Sequence, residues 1–307
     1  MTTIQNVAIA GASGNLGISI LHALLNSKAF NVTVLSRESS TATFPDSVTV
    51  VHVDYTSVPD LTATLKGQDA VVSAVGTAAI NTQHPLIEAS VAAGVARFIP
   101  SEFSADIDNA MSSALPVYQP QITVHKALQG LAQTHPAFTY TLIRNGVLLD
   151  WSMAKGFVIA FDSETPSLYD GGDRPLSVSN LASVGQAVVG VLRNPRETRN
   201  RVMYVHDLVI TQNKVLAMAR KLAPARTWNP VVVDTADLEA RSRDAYAKGV
   251  VTIHSSLGLL IRAAFGEGYG GEFQRVDNEL LGVGFKTDVD LEAMVKDAMD
   301  HTLVPGS

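Results

Sequence analysis

The residues with the clearest chemical meaning form a loop near the start of the chain, Gly11-Ala12-Ser13-Gly14-Asn15-Leu16-Gly17. The loop follows an apolar run at residues 7–10 and opens an apolar segment of helical periodicity. Glycine lets backbone amides approach a phosphate, and the first turn of a helix adds partial positive charge there. A glycine-rich turn without a ligand is the alternative. We predict that this loop binds the pyrophosphate of a dinucleotide through Gly11, Ser13, Gly14, Asn15, Leu16 and Gly17.

The end of the second apolar run indicates which dinucleotide is bound. Residues 31–37 end at Arg37, where NAD-specific proteins commonly carry Asp or Glu for the ribose 2′-hydroxyl. Arginine can instead pair with the 2′-phosphate of NADPH, which is the cofactor we predict. Two alternatives stay open, because Glu38 could hold a ribose hydroxyl and Arg37 could be an ordinary surface residue. Asp54 and Val75, at later strand ends, are candidate contacts or simple strand ends.

Strand-like and helix-like segments alternate through the first half of the chain. Nearly continuous apolar strands separated by helices are typical of a parallel sheet covered on both faces. We therefore predict an α/β fold with a doubly wound parallel sheet of the Rossmann type. The predicted strands are 6–12, 31–37, 48–53, 70–75, 97–100 and 138–144, and the predicted helices are 16–27, 58–66, 85–93 and 121–134.

After about residue 150 the pattern changes. We predict a dinucleotide-binding domain at 1–150 and a smaller, mainly helical substrate lobe at 151–307, partly interleaved with the first domain. Its predicted segments are a loop at 163–175, a helix at 184–192, a strand at 201–205, a helix at 212–222, and a mainly helical remainder with a glycine-rich interruption at 266–271.

Composition narrows the classes of function. The net charge is −6 without any run of Lys or Arg, which argues against a nucleic-acid partner. The chain has no cysteine, so thiol catalysis and disulfides are excluded. The first apolar run begins near residue 6, which leaves no room for a leader peptide, and no apolar run reaches the roughly 18 residues of a membrane span. We expect a cytoplasmic protein with a small-molecule substrate and no membrane partner.

Three further stretches carry a family resemblance: Ala-Gly-Val-Ala-Arg-Phe-Ile-Pro-Ser-Glu-Phe at 93–103, His-Lys-Ala at 125–127, and Leu-Arg-Asn-Pro-Arg at 192–196. Together with the glycine loop and Arg37, they resemble the NmrA-like group that contains the isoflavone reductase-like enzymes. Phenylcoumaran benzylic ether and pinoresinol–lariciresinol reductases belong to the same group. The likeness runs from Val7 to about Leu222.

The resemblance implies an NADPH-dependent reductase of the atypical short-chain type, with its catalytic lysine at Lys126. We also predict dinucleotide contacts from Phe103, Lys126 and Asn145. Two departures concern the substrate. Ser104 stands where these reductases usually carry glycine, and residues 146–149 are less polar and aromatic than theirs. The substrate is therefore not inherited from the resemblance.

Taken without the resemblance, Lys126 is an unremarkable residue. It points away from the apolar stripe of its predicted helix, which is the position of a solvated lysine. As a catalyst it would handle the proton while a hydride moves from the nicotinamide to an electron-poor carbon. It could also simply hold the nicotinamide ribose, and His125 is a second candidate for proton transfer.

Other chemistries lack their residues. No tyrosine is followed four residues later by lysine, the histidines lack metal-ligand spacing, and no G-x-S-x-G motif occurs, so we predict no metal. Phe103, Trp151 and Tyr169 could form the walls of a substrate pocket or be anchors in the core.

Two functions remain. The first is a reductase of a small, aromatic or polyketide-like substrate. The second is an NmrA-like regulator that senses a dinucleotide and binds a protein partner without catalysis. Such regulators typically lack the catalytic lysine, so Lys126 favours the enzyme.

Overall fold

The computed structural model describes residues 3–303. Within this range the strands are β1 (Asn6–Ala10), β2 (Asn31–Arg37), β3 (Thr49–Val53), β4 (Ala70–Ser73), β5 (Arg97–Ile99), β6 (Thr139–Arg144), β7 (Val147–Leu148), β8 (Ser167–Tyr169), β9 (Leu176–Ser179), β10 (Arg201–Tyr204), β11 (Leu208–Ile210) and β12 (Val231–Val233). The helices are α1 (Asn15–Ser27), α2 (Val58–Thr64), α3 (Gln83–Ala93), α4 (Ala110–Ser113), α5 (Gln119–Thr134), α6 (Leu149–Ala154), α7 (Leu181–Arg193), α8 (Gln212–Leu222), α9 (Thr235–Ala247), α10 (Ile253–Phe265), α11 (Asn278–Leu281) and α12 (Asp288–Leu303). Thr77–Thr82 and Pro116–Tyr118 form 3₁₀ helices.

Within the described residues, seven strands form one sheet in the order β10-β6-β5-β4-β1-β2-β3. Every neighbouring pair is parallel. Successive side chains of a strand point to opposite faces. On β1, Val7 and Ile9 therefore enter one core, and Ala8 and Ala10 enter the other. Burial on both faces explains the apolar strands, and the predicted doubly wound sheet is confirmed.

Helices cover both faces of this sheet. α1 and α7 pack on one face through residues such as Leu24 and Val188. α2, α3 and α5 cover the other face through Leu61, Leu86 and Leu128. Because the strands are parallel, all their carboxyl ends meet at one edge, where ligands of such sheets bind.

The second half of the chain returns to this sheet. α7 packs against α1, and β10 pairs with β6. The approach of the two helices requires Gly185, since a Cβ there would lie 2.7 Å from the carbonyl oxygen of Ser19. The buried Arg97 guanidinium also ties the segments together, donating hydrogen bonds to the hydroxyls of Thr141 and Thr198 at 2.9 and 2.8 Å. Two elements of the second half of the chain, α7 and β10, thus belong to the layers of the main sheet.

The remaining elements form a second lobe with its own core. It contains a three-stranded sheet, β11-β9-β7, and a two-stranded sheet, β12-β8. Side chains of several helices fill the core between them, among them Phe265 and Leu291. The prediction of a continuous loop at 163–175 is wrong, because β8 lies inside it. A strand of three residues is too short to show alternation in the sequence. The turn that follows it is marked in the sequence by Gly171 and Gly172, and both have a positive φ in the structure.

Candidate functional site

The glycine loop joins β1 to α1, and its glycines have different roles. Gly11 has a φ of +79°, and a Cβ there would overlap the backbone carbonyl of Ala74. A Cβ on Gly17 would overlap the carbonyl of Gly11. Gly14, the N-cap of α1, has an ordinary φ of −79°, and the nearest atom to a Cβ there is the Gly11 oxygen at 3.4 Å. The fold needs Gly11 and Gly17, whereas the open face of Gly14 lets a ligand approach the helix N-terminus.

A cavity of about 540 Å³, which we call the outer cavity, lies over the carboxyl ends of β1 to β4. Arg37 and Glu38 line it side by side, and both are exposed. Asp54 is fixed at its rim by hydrogen bonds from the hydroxyl and backbone N–H of Thr56, at 2.7 and 2.8 Å, which lower the pKa of Asp54. The predicted dinucleotide residues in this lining are Gly11, Ser13, Gly14, Arg37, Asp54 and Val75.

A second cavity of about 300 Å³, the inner cavity, adjoins the same loop. Gly14, Ala74, Val75 and Gly76 line both cavities, so the two form one continuous cleft. The inner cavity brings together Asn15, Leu16, Phe103 and Trp151 from the predictions. Its other lining residues are Thr77, Ile80, Ser101, Glu102, Ser104, Gln121, Leu148 and Leu181.

Glu102 belongs to a network of buried charges beside the inner cavity. Its Oε2 lies 3.0 Å from Nη1 of Arg144, and both side chains are fully buried. Nη2 of Arg144 lies 3.2 Å from Oδ2 of Asp108, whose side chain is 38% exposed. Burial raises the pKa of Glu102 to about 7, although Arg144 acts in the opposite direction. Oε1 of Glu102 and Oε1 of Gln121 are buried without a hydrogen-bond partner among residues 3–303.

Lys126 does not line this cleft. It is exposed on α5 and lines a separate cavity of about 220 Å³, together with Asp108 and His125. The residue of α5 that reaches the inner cavity is Gln121. Residues five apart on a helix are rotated by roughly 140°, so Gln121 and Lys126 face different ways. The structure does not bring Lys126 to the glycine loop, and its catalytic role stays a prediction.

Tyr169 and Asn145 also lie outside the lining of the cleft. The Tyr169 ring packs against Phe265 in the core of the second lobe, with 5.0 Å between the ring centroids. Of the two alternatives predicted for Tyr169, this contact agrees with an anchor in the core. Asn145 is fully buried, and its backbone N–H donates to the carbonyl of Ser104 at 3.1 Å. Asn145 therefore holds the backbone of Ser104, which lines the inner cavity, without lining the cavity itself.

Two residues of the inner cavity, Glu102 and Gln121, carry no functional prediction from the sequence. A signal for Glu102 was present, because it closely follows a predicted strand, at the edge where such sheets bind ligands. Gln121 had no comparable signal. Within the described part of the chain, no group of three or more His, Asp and Glu side chains is arranged to hold a metal ion. None of the helices at residues 3–303 is both long and apolar enough to cross a membrane.

The sequence profile of the NmrA-like family matches residues 3–227. The chain belongs to the NmrA-like family. Oxidoreductase aprR of Aspergillus flavus is 35% identical over 290 residues, covering 90% of this chain and 93% of the relative. Oxidoreductase poxI of Penicillium oxalicum is 36% identical over 228 residues, covering 71% and 70%. These relatives confirm that this NmrA-like protein is an oxidoreductase.

Solved structures share the fold over almost the whole chain. The complex of AtPrR2 with NADP+ and (+)pinoresinol has a TM-score of 0.77 and 21% identity, covering 98% of this chain and 99% of that one. The ternary complex of leucoanthocyanidin reductase from Vitis vinifera has a TM-score of 0.75 and 20% identity, covering 96% and 99%. The second lobe of this NmrA-like protein is therefore part of the shared fold, although the family profile ends at residue 227.

Proposed function

We propose that this NmrA-like protein is an NADPH-dependent reductase of a small, aromatic or polyketide-like substrate. The observation that carries the proposal is the continuous cleft from Arg37, past Gly14, to Phe103 and Trp151. Along its length the cleft offers a cation, then an open helix N-terminus, and then the apolar walls of the inner cavity. That order suits a phosphorylated adenosine, a pyrophosphate, and a nicotinamide beside a substrate.

The cleft fits the cofactor on three counts. Gly14 has no side chain over the N-terminus of α1, so a pyrophosphate can reach the helix amides. Arg37 is exposed and makes no ion pair within residues 3–303, which leaves its guanidinium for a 2′-phosphate. The similar fold of AtPrR2 holds NADP+, which supports the same choice here.

The inner cavity suits a small, flat, apolar substrate. Phe103, Leu148 and Trp151 supply apolar surface, and Ser104 and Gln121 supply polar groups that can orient a ligand. A few polar groups in a mainly apolar pocket is the usual composition of a small-molecule site. The (+)pinoresinol bound to AtPrR2 supports an aromatic substrate.

When bound, reduced nicotinamide supplies a hydride. The residues of this chain would bind and orient the dinucleotide along Arg37 and Gly14, and the apolar walls would exclude water from the reacting end. A proton must also reach the substrate. The prediction that Lys126 delivers it requires the side chain to reach the cleft from the neighbouring cavity.

The test is a fluorescence titration with NADPH and NADH, followed by a screen for NADPH oxidation over aromatic ketones and enones. We expect NADPH to bind more tightly and at least one compound to be reduced. Equal affinity for the two dinucleotides contradicts the NADPH assignment. Tight NADPH binding without oxidation by any compound contradicts the reductase and favours a dinucleotide sensor that binds a protein partner.

A further inference from the structure

The inner cavity offers no cation to a ligand. Among the described residues that line it there is no Lys, Arg, His or Asp, and Glu102 is fully buried and paired with Arg144 at 3.0 Å. A carboxylate that entered the cavity would lose its hydration without gaining a partner of opposite charge, which costs free energy. The inner cavity therefore suits a ligand without a charge.

Hydrogen bonds must orient such a ligand, and two hydroxyl groups of the lining are already occupied as donors. The Ser101 hydroxyl donates to the carbonyl of Val75 at 2.7 Å. The Ser104 hydroxyl donates to the carbonyls of Glu102 and Ala105 at 3.1 and 3.2 Å. Both serines can still accept a hydrogen bond, but neither has a hydrogen free for the oxygen of a ligand.

Gln121 is the half-buried side chain of the lining whose donor is free. Its Oε1 is enclosed by protein, whereas Nε2 makes no hydrogen bond among residues 3–303 and is not enclosed. Asn15, Thr77 and Trp151 also keep free donors, but all three residues are exposed. A hydrogen bond is electrostatically stronger where water is excluded. Nε2 of Gln121 is therefore the donor best placed to hold a ligand oxygen.

The size of the inner cavity brings a ligand within reach of this donor. Its volume of about 300 Å³ is at the lower end of the range for small-molecule sites, about 300–1,000 Å³. A ring that fills so small a space contacts all of its walls. Phe103 and Trp151 supply flat surfaces for the ring, and a carbonyl group on the ring can then meet Nε2 of Gln121.

We propose that Gln121 donates a hydrogen bond from Nε2 to the carbonyl oxygen of the substrate, and that the cavity thereby selects uncharged aromatic carbonyl compounds over carboxylates. The inference rests on the reductase function proposed above. When a hydride adds to the electron-poor carbon, an electron pair moves to the carbonyl oxygen, which becomes negative. The N–H of Gln121 stabilises that charge. An amide keeps its own protons, so the oxygen takes a proton from solvent water or, as predicted from the sequence, from Lys126.

The first test needs no substrate. Benzamide and benzoate share a shape, differ in charge and take no hydride from NADPH, so both can be titrated into the NADPH complex and followed by ligand-observed NMR. The wild-type protein should bind benzamide at least roughly 10-fold more tightly than benzoate. Gln121→Leu should weaken benzamide roughly 2–10-fold, the effect of one neutral hydrogen bond, without changing NADPH affinity. Gln121→Lys introduces a cation and should bind benzoate more tightly than benzamide.

Gln133→Leu is the matched control, because it makes the same change at an exposed position on α5 and should alter neither affinity. Leu and Lys are good helix formers, and Gln121→Lys carries the test if Gln121→Leu does not fold. Wild-type affinity for benzamide in Gln121→Leu overturns the inference. So does a wild-type protein that prefers benzoate or binds neither probe. A protein that does not bind NADPH contradicts the proposed function instead.

The second test uses an aromatic carbonyl compound that the wild-type protein reduces. The hydrogen bond strengthens as negative charge develops on the oxygen, so Gln121→Leu should lower kcat by roughly 10²–10³-fold, far more than it weakens benzamide. Gln133→Leu should leave kcat unchanged. A rise in KM at constant kcat in Gln121→Leu would show that the side chain only shapes the cavity, and would contradict the inference. A wild-type protein that binds NADPH and benzamide but reduces nothing contradicts the proposed function.

Discussion

Two substitutions in the glycine loop should separate folding from ligand binding. Gly11→Ala forces a side chain into a left-handed conformation, which costs about 1–3 kcal/mol. It also pushes a Cβ into the carbonyl of Ala74, and overpacking of this kind typically adds about 1–3 kcal/mol. The sum, about 2–6 kcal/mol, is a large part of the roughly 5–15 kcal/mol that stabilises a domain. Gly11→Ala should therefore unfold at a markedly lower denaturant concentration.

Gly14→Val should weaken ligand binding and leave the stability of the fold almost unchanged. Its backbone angles suit any residue, and its Cβ would meet only the Gly11 oxygen at 3.4 Å. The fold should lose no more than about 1 kcal/mol, the order of an N-cap effect. The branched side chain would block the pyrophosphate, and each lost hydrogen bond to a charged group costs about 1.5–3 kcal/mol, or about 10–150-fold in Kd.

Urea unfolding followed by circular dichroism and NADPH titration by fluorescence, on the same preparations, measure both effects. Wild-type NADPH affinity in a folded Gly14→Val protein would place the pyrophosphate elsewhere. Wild-type stability of Gly11→Ala would refute the steric reasoning.

Three further outcomes follow from the site. Arg37→Ala should remove most of the preference for NADPH over NADH, about 10–150-fold, in a titration of both dinucleotides; a wild-type protein without that preference would show the role of Arg37 to be wrong. Lys126→Ala should slow single-turnover NADPH oxidation by roughly 10²–10⁴-fold if Lys126 moves the proton, with Lys126→Arg nearly as slow; full activity in Lys126→Ala removes it from the chemistry. The pKa of Glu102 is about 7 in the folded protein against 4.5 for the free side chain, so the folded state binds the proton more tightly. The free energy of unfolding should therefore fall as the pH rises through this interval, by about 3 kcal/mol in total. Glu102→Gln should remove most of this fall, and identical pH dependence in urea titrations of both proteins would contradict the reasoning.

The parts of this protein that the sequence predicts well are those with local signals. The strands of the parallel sheet are apolar runs, and Gly11 to Gly17 lie between a strand and a helix, so both follow from short stretches of chain. β8 was missed because three residues carry too little pattern. Its pairing with β12, more than 60 residues away, is a tertiary effect.

The site is harder to predict because its geometry joins distant segments. Gln121 and Lys126 both lie off the apolar stripe of α5, and a helical wheel cannot tell which of them faces the cleft. The way in which α5 packs against the sheet determines which side chain faces the cleft, and that side chain is Gln121. Arg144 and Asp108 are 36 residues apart in the sequence, so no local spacing of residues predicts the network around Glu102.

The return of α7 and β10 to the main sheet bears on how the chain folds as it is made. When residues up to 150 have emerged from the ribosome, β1 to β6 are available to fold. The face of α1 that packs against α7 and the edge of β6 that pairs with β10 are then still exposed. Synthesis at about 5–20 residues per second leaves these surfaces uncovered for seconds before Tyr204 emerges. An open strand edge and an apolar helix face are the features that chaperones recognise and that aggregate when left exposed. A fragment ending near residue 150 should therefore be insoluble, even though it contains the entire glycine loop.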